Sequence, residues 1–247
     1  KPVKNINRLN GVTVADVTAI QQHAVNSVPI TDNYKKVAAD VNKSNSITST
    51  DATLLNQALL GAVAAPFNTS WRFVPTSHVM ANPPWGFPEQ RTYTGISGLQ
   101  ANQDFYGIKI GDVATTFANP ANFGAGQPLT WRLDDRLLES GAEVTAVFSA
   151  DQMEDLASFQ FALHFDPAQL QLVAIEPLSG LPVTIDHFGT YHVSEGEIRM
   201  VWSQVSGMPL AEAAPVFQLR FKALSGGAKL SEVLQLDEEV LPGYSYN

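Results

Sequence analysis

The 247-residue sequence predicts an α+β multidomain fold, a small helical unit followed by an all-β sandwich. Three observations predict it. A loop-plus-helix pattern is written twice between Asn5 and Gly61, residues 62–124 are rich in Pro, Asn, Gly and aromatic residues, and from Leu129 onward apolar and polar residues alternate. Domain sizes cluster near about 100 to 150 residues. The chain is therefore divided into 1–61, 62–124 and 125–247, the middle segment packing on the helical unit and serving as linker.

Composition narrows the function before any motif is considered. Hydrophobic residues at 45% and charged residues at 16% describe an ordinary folded chain with real cores. A net charge of -9 disfavours nucleic acid, whose phosphates need clustered Lys and Arg. The absence of cysteine removes disulfides, thiolate catalysis and Cys-ligated zinc or iron–sulfur sites. No apolar run reaches the roughly 18 to 20 residues that span a bilayer, and KPVKNINRLN lacks the apolar stretch of a signal peptide. Starting inside a repeat and ending at PGYSYN, the chain reads as a fragment of a longer, processed protein.

The repeat appears at an offset of 35 residues, where NINRLNGVTVADVTAIQQHAV aligns with DVNKSNSITSTDATLLNQALL without a gap. Identities fall at Asn7/Asn42, Asn10/Asn45, Thr13/Thr48, Asp16/Asp51, Thr18/Thr53 and Gln22/Gln57. In the second copy Asp40, Asn42, Ser44, Ser46, Thr48 and Asp51 stand at loop positions one, three, five, seven, nine and twelve. That is the ligand spacing of a twelve-residue EF-type calcium loop. Ca²⁺ is a hard cation that takes six to eight oxygens, and the loop offers a carboxylate at each end with amide, hydroxyl and backbone oxygens between. Ser46 contributes through its carbonyl, and Asn45, where Gly is usual, tolerates the positive φ of the turn.

Each loop leads into a helix, DVTAIQQHAVN from Asp16 and DATLLNQALLG from Asp51. Val17, Ile20, Ala24 and Leu55, Ala58, Leu59 recur at three- and four-residue steps, which gives each helix one apolar face. Without metal, the same Asp and Asn residues serve as N-caps and turn formers. The first loop is poorer, because Asn5, Asn7 and Leu9 stand where charged or hydroxyl ligands belong and only Asp16 is charged. It is either a second Ca²⁺ site drawing on backbone oxygens of Leu9 and Gly11, or a metal-free structural copy.

Two tandem loop–helix units with Asp at position twelve resemble a dockerin domain, the Ca²⁺-dependent module that binds cohesins. The resemblance implies Asp40, Asn42, Ser44, Ser46 and Asp51 as ligands, one Ca²⁺ with a second possible, and a protein partner. The departures from the family pattern are Asn5 and Leu9, which bear on the metal of the first loop, and the spacer NSVPITDNYKKVAA. That longer spacer resembles dockerin-like regions of large Bacteroidetes surface and secreted proteins more than those of cellulosomal enzymes, which implies an extracellular or cell-surface setting.

In residues 62–124, SWRFVP and FYGIKIGDV read as short strands. Trp71, Phe73, Trp85, Phe87, Tyr93 and Tyr106 either pack on the helices or form a sugar-stacking surface, and Asp104 and Asp112 offer a further cation site. In the last segment Phe159, Phe161, Leu163 and Phe165 alternate with Ser158, Gln160, Ala162 and His164, which predicts half-buried strands of a β-sandwich with its aromatics in the core. SFQFALHFDP, EIRMVWS and VFQLRFKAL over residues 128–247 resemble the cohesin domain and related carbohydrate-binding modules, implying a jelly-roll sandwich.

Chemistry is not nominated. There is no G-x-S-x-G, H-E-x-x-H or P-loop. His187 and His192 flank an expected hairpin at FGTY, and the acidic pairs Asp134/Asp135, Glu154/Asp155 and Glu195/Glu197 fall in turns or strand ends, so no catalytic residue is assigned. The expected function is a non-catalytic, calcium-binding adhesion or surface-filament component making cohesin–dockerin contacts within or between chains. The alternative is a carbohydrate-binding accessory region of a secreted polysaccharide-degrading enzyme.

Overall fold

The structure, a computed structural model, describes residues 1–6, 8–62, 69–114 and 129–246. It divides into two compact units, Lys1–Ala58 with Ala65–Phe123, and Leu59–Ala64 with Gly124–Asn247.

The first unit contains α1 (Val14–Ala24), α2 (Asn33–Ala39), α3 (Ser49–Leu59) and an antiparallel pair, β1 (Trp71–Pro75) and β2 (Phe105–Lys109), in register from Trp71↔Lys109 to Pro75↔Phe105. The two helices of the repeat start two residues before Asp16 and Asp51, because Thr13 and Thr48, not the aspartates, sit at their N-termini. The spacer, which had no assigned structure, holds α2. Its N-cap is Asp32, whose Oδ1 accepts from the backbone N–H of Tyr34 (2.8 Å) and Lys35 (2.9 Å). The apolar faces meet in a core that includes Val14, Val17, Ile20, Val37, Leu55 and Ile110, all fully buried.

Strand β2 is followed at once by a sharp turn at Gly111, φ 87°, whose N–H donates to the carbonyl of Ala38 (2.9 Å). A Cβ there would lie 2.9 Å from Cδ1 of Leu55 and 3.2 Å from Val12. Gly111→Ala combines a left-handed backbone with overpacking, so it should cost about 2 kcal/mol of this unit's stability, checked by urea unfolding. An unchanged urea midpoint would contradict this packing.

Three of the six middle aromatics have ring or cation partners within this unit. Tyr106 meets Tyr34 edge-on at 5.5 Å, Lys4 lies over Trp71 at 4.3 Å and Arg72 over Phe87 at 4.3 Å. Residues 63–68 and 115–124 of the expected middle segment lie outside the described residues.

The second unit is a sandwich of antiparallel strands. Among the described residues one sheet runs β10 (Leu234–Leu236), β5 (Met153–Phe165), β8 (Glu197–Leu210), β7 (Phe188–Gly189), with β11 (Tyr244–Tyr246) also on β5. The other runs β3 (Trp131–Arg132), β4 (Glu143–Ala150), β9 (Ala214–Ala223), β6 (Leu170–Pro177). The inward side chains interlock as aromatics: Phe148 stacks on Phe217 with centroids 4.5 Å apart, and Trp131 meets Phe159 (5.2 Å), Phe161 (5.3 Å) and Phe217 (5.7 Å) edge-on. In β9, Phe217, Leu219 and Phe221 are buried while Lys222 is exposed, as alternation requires.

Two expectations are corrected here. Strand β5 is buried on both faces: Ser158, Gln160 and Ala162 are as covered as the phenylalanines, and only His164 of that face is exposed. Gln160 Nε2 donates to the carbonyl of Pro242 (3.1 Å) and the Ala162 N–H to that of Leu241 (3.2 Å), so the C-terminal turn satisfies polar groups that alternation had assigned to water. The FGTY stretch is not a hairpin. Phe188 and Gly189 form β7 on β8, between 3₁₀ turns at Ile185–His187 and Val193–Glu195.

Candidate metal centre and interaction modules

The second loop runs from the end of α2 into α3. Asp40 and Asp51 are both completely buried, an unusual place for carboxylates without a cation. Asp40 Oδ1 accepts from the N–H of Ser44 (2.8 Å) and Oδ2 from that of Asn45 (2.9 Å), and Asn42 Oδ1 also accepts from Ser44 (2.9 Å). Lys43 (φ 59°) and Asn45 (φ 63°) take left-handed conformations that curl the chain around Asp40. Asp51 closes the far end: Oδ2 accepts from Thr48 N (2.9 Å) and Thr48 Oγ1 (3.1 Å), and Oδ1 from Asn42 N (3.3 Å). Ser44 and Ser46 bring their hydroxyls to 2.8 Å of each other, and Ser44 Oγ donates to the Ser46 carbonyl (3.3 Å).

Burial pushes the carboxyl of Asp40 above its usual range and the neighbouring Asp51 charge adds to this, against the Asn45 and Ser44 N–H bonds and Arg72. That is the electrostatic situation a bound divalent cation relieves. The donors fit Ca²⁺, since two carboxylates lie at the ends of a loop carrying amide, hydroxyl and carbonyl oxygens. Among the described residues no three His, Cys, Asp or Glu side chains converge, so the hydroxyls and carbonyls are essential to any such site. Thr48 Oγ1 is already engaged, donating to Asp51 and accepting from Thr50 N (3.2 Å), which places it as the α3 cap.

The first loop repeats one end of this geometry and departs elsewhere. Asp16 Oδ2 accepts from Thr13 N (2.7 Å) and Thr13 Oγ1 (3.2 Å), as Asp51 does from Thr48. Its Oδ1, however, accepts from the N–H groups of Val113 (2.6 Å) and Ala114 (2.7 Å). Asn5 Oδ1 accepts from Ser70 N (3.2 Å) and Oγ (3.3 Å), and the Leu9 carbonyl from Val12 N (2.9 Å). The left-handed residue is Gly11 (φ 78°), one position later than Asn45 in its copy. Asn7 lies outside the described residues.

Lys109, buried at the end of β2, donates from Nζ to the carbonyls of Arg8 (2.5 Å) and Ile110 (2.9 Å). Burial pushes Asp16 up to about 7, opposed by its backbone N–H bonds and aided by Asp112. Burial likewise pulls Lys109 down to about 8, opposed by Asp112 and Asp16. Sequence spacing gave no hint of Lys109, because nothing local marks a lysine in a strand as the partner of a distant loop.

The remaining candidates have separate partners. His187 Nδ1 accepts from Thr184 N (2.9 Å), while His192 Nδ1 lies 3.5 Å from Glu195. Asp135 accepts from Ser231 N (3.1 Å), and Glu197 pairs with Arg199 (2.6 Å). No described helix is long and apolar enough to cross a membrane.

The sequence was also compared with known proteins. No curated protein matches it. Solved structures similar to it are cohesins. One is a chain of a type II cohesin–X–dockerin complex of Acetivibrio cellulolyticus, at 21% identity and TM-score 0.34, covering 44% of this chain and 77% of that one. Another is the second type II cohesin module of the ScaA scaffoldin of the same organism, at 19% and 0.34, covering 49% and 79%. A third is the seventh ScaB type I cohesin of Pseudobacteroides cellulosolvens, at 16% and 0.36, covering 44% and 74%. Family models match two stretches, so that the chain carries a dockerin type I domain at residues 6–60 followed by a cohesin domain at residues 129–241.

Proposed function

We propose that this chain is a non-catalytic component of a bacterial extracellular or cell-surface assembly, joined through its dockerin and cohesin modules and stabilised by Ca²⁺ in the second loop. Dockerin and cohesin domains are protein–protein assembly modules. The observation that carries the reading is that both halves of such a pair lie on one chain. The ion is assigned to Asp40, Asn42, Ser44, the Ser46 carbonyl and Asp51, with Thr48 at position nine acting through the cap it forms or through a water. It holds the α2–α3 corner and so the helical surface offered to a partner, as a structural clamp.

The partner proposed is a second copy of the chain, the dockerin unit of one engaging the cohesin sandwich of the next. Such a head-to-tail contact is heterologous and propagates into a filament unless it closes. Light scattering after size exclusion should show a mass that rises with concentration in Ca²⁺ and falls toward one chain in EDTA. A concentration-independent monomer under both conditions would sink the chain-to-chain contact. Micromolar binding on a glycan array would instead favour a carbohydrate-binding role.

A further inference from the structure

We infer that the first loop holds no Ca²⁺, because its oxygens are taken up by hydrogen bonds from the protein itself, the buried Lys109 ammonium among the donors, and that the duplicated unit holds one metal ion. The inference rests on the calcium reading above only for the second loop.

A carboxylate offers about four lone-pair sites. Asp16 accepts four hydrogen bonds, from Thr13 N, Thr13 Oγ1, Val113 N and Ala114 N, so its capacity is filled by the protein. Its counterpart Asp51 accepts three, from Thr48 N, Thr48 Oγ1 and, at a long 3.3 Å, Asn42 N, while Asp40 accepts from two backbone N–H groups at 2.8 and 2.9 Å and from Ser44 Oγ at 3.5 Å. Asn5 Oδ1, at loop position one, accepts from Ser70 instead of pointing its lone pairs at an ion. The carbonyl of Arg8, a residue of the loop, accepts from an ammonium hydrogen. The Thr13 bonds recur at the second loop as those of Thr48 to Asp51, whereas the other captures are made by Ser70, Lys109, Val113 and Ala114.

Charge gives the same answer. The negative charges of Asp112 and Asp16 hold the buried Lys109 ammonium up against the pull of burial, so a positive charge already serves this cluster. A divalent ion added to the loop would bring two further positive charges close to this buried ammonium.

Calcium bound to the full chain, measured after equilibrium dialysis against micromolar free Ca²⁺, tests this directly. The expected result is one equivalent, kept by Asp16→Asn and lost by Asp51→Ala. Two equivalents in the unmutated chain overturn the inference, as does a single equivalent that survives Asp51→Ala but not Asp16→Asn. No bound calcium would defeat the second-loop site while agreeing with a metal-free first loop. Lys109→Met supplies an independent measurement. Its melting midpoint should fall by on the order of 10 °C, by the same amount in Ca²⁺ and in EDTA, because the lost cation is covalent. An unchanged midpoint would show that the ammonium holds nothing together.

Discussion

Asp51→Ala is expected to abolish Ca²⁺ binding at the second loop and to lower the melting point of the dockerin unit more than EDTA does. Its carboxylate has two roles in one position. As the twelfth loop residue it supplies charge to the ion. As the third residue of α3 it accepts from Thr48 N, Thr48 Oγ1 and Asn42 N. Losing such a cap costs about 1 kcal/mol, while water can reach the released N–H groups of the exposed Thr48 and Asn42. An ion present at about a hundred times its dissociation constant contributes a further ~2.7 kcal/mol. Chelating the unmutated chain removes only this last part and leaves the caps intact. The order of midpoints should be wild type with Ca²⁺, wild type with EDTA, then the variant, which should ignore EDTA. Differential scanning calorimetry reads all three, and a wild-type transition that EDTA does not move would remove calcium from the second loop.

Phe217→Ala is the corresponding test of the cohesin sandwich. Phe217 is fully buried on β9, stacked on Phe148 at 4.5 Å, with Phe188 edge-on at 5.1 Å and Trp131 at 5.7 Å. Removing the ring opens a cavity among neighbours on both sheets that cannot collapse without breaking other ring contacts. The expected cost is about 3 to 5 kcal/mol, with the paired-ring contacts placing it toward the upper end. That is a large part of the roughly 5 to 15 kcal/mol that keeps a domain folded, so the sandwich should be partly unfolded at 37 °C. Near-ultraviolet circular dichroism, in which the packed Trp131 and Phe rings report, should lose its signal at a lower temperature. Calcium binding should be unchanged, because no ligand of the second loop belongs to this unit. A loss below about 1 kcal/mol would mean that the ring cluster is not the centre of the core.

How far the sequence reached can be seen residue by residue. The Asp40-to-Asp51 spacing is local, since twelve consecutive residues bring their own polar groups together, and these bond to one another within the loop. The Thr13/Asp16 and Thr48/Asp51 pairs repeat the same bonds in three dimensions because they depend only on residues three apart. The alternation in β9 was equally legible, since each residue's face follows from its parity. Helix α2 was missed because seven residues are too few for a periodic signal, although its Asp32 cap stood in the sequence. The second face of β5 was misassigned because Gln160 looks solvent-facing until Pro242, 82 residues further along, accepts from its side chain, and Ser158 until it is buried.

The sequence by itself therefore determined the duplicated loop–helix unit and the β-sandwich behind it, both consequences of short-range spacing. Only the tertiary structure decided what became of the first loop. Its donors look merely weak in sequence. In the folded unit they are occupied, Asn5 by Ser70, Asp16 by Val113 and Ala114, and the Arg8 carbonyl by a lysine 101 residues further along the chain. The ligand spacing of a loop is local information, but whether its oxygens remain free for an ion depends on which other segments the fold brings against them.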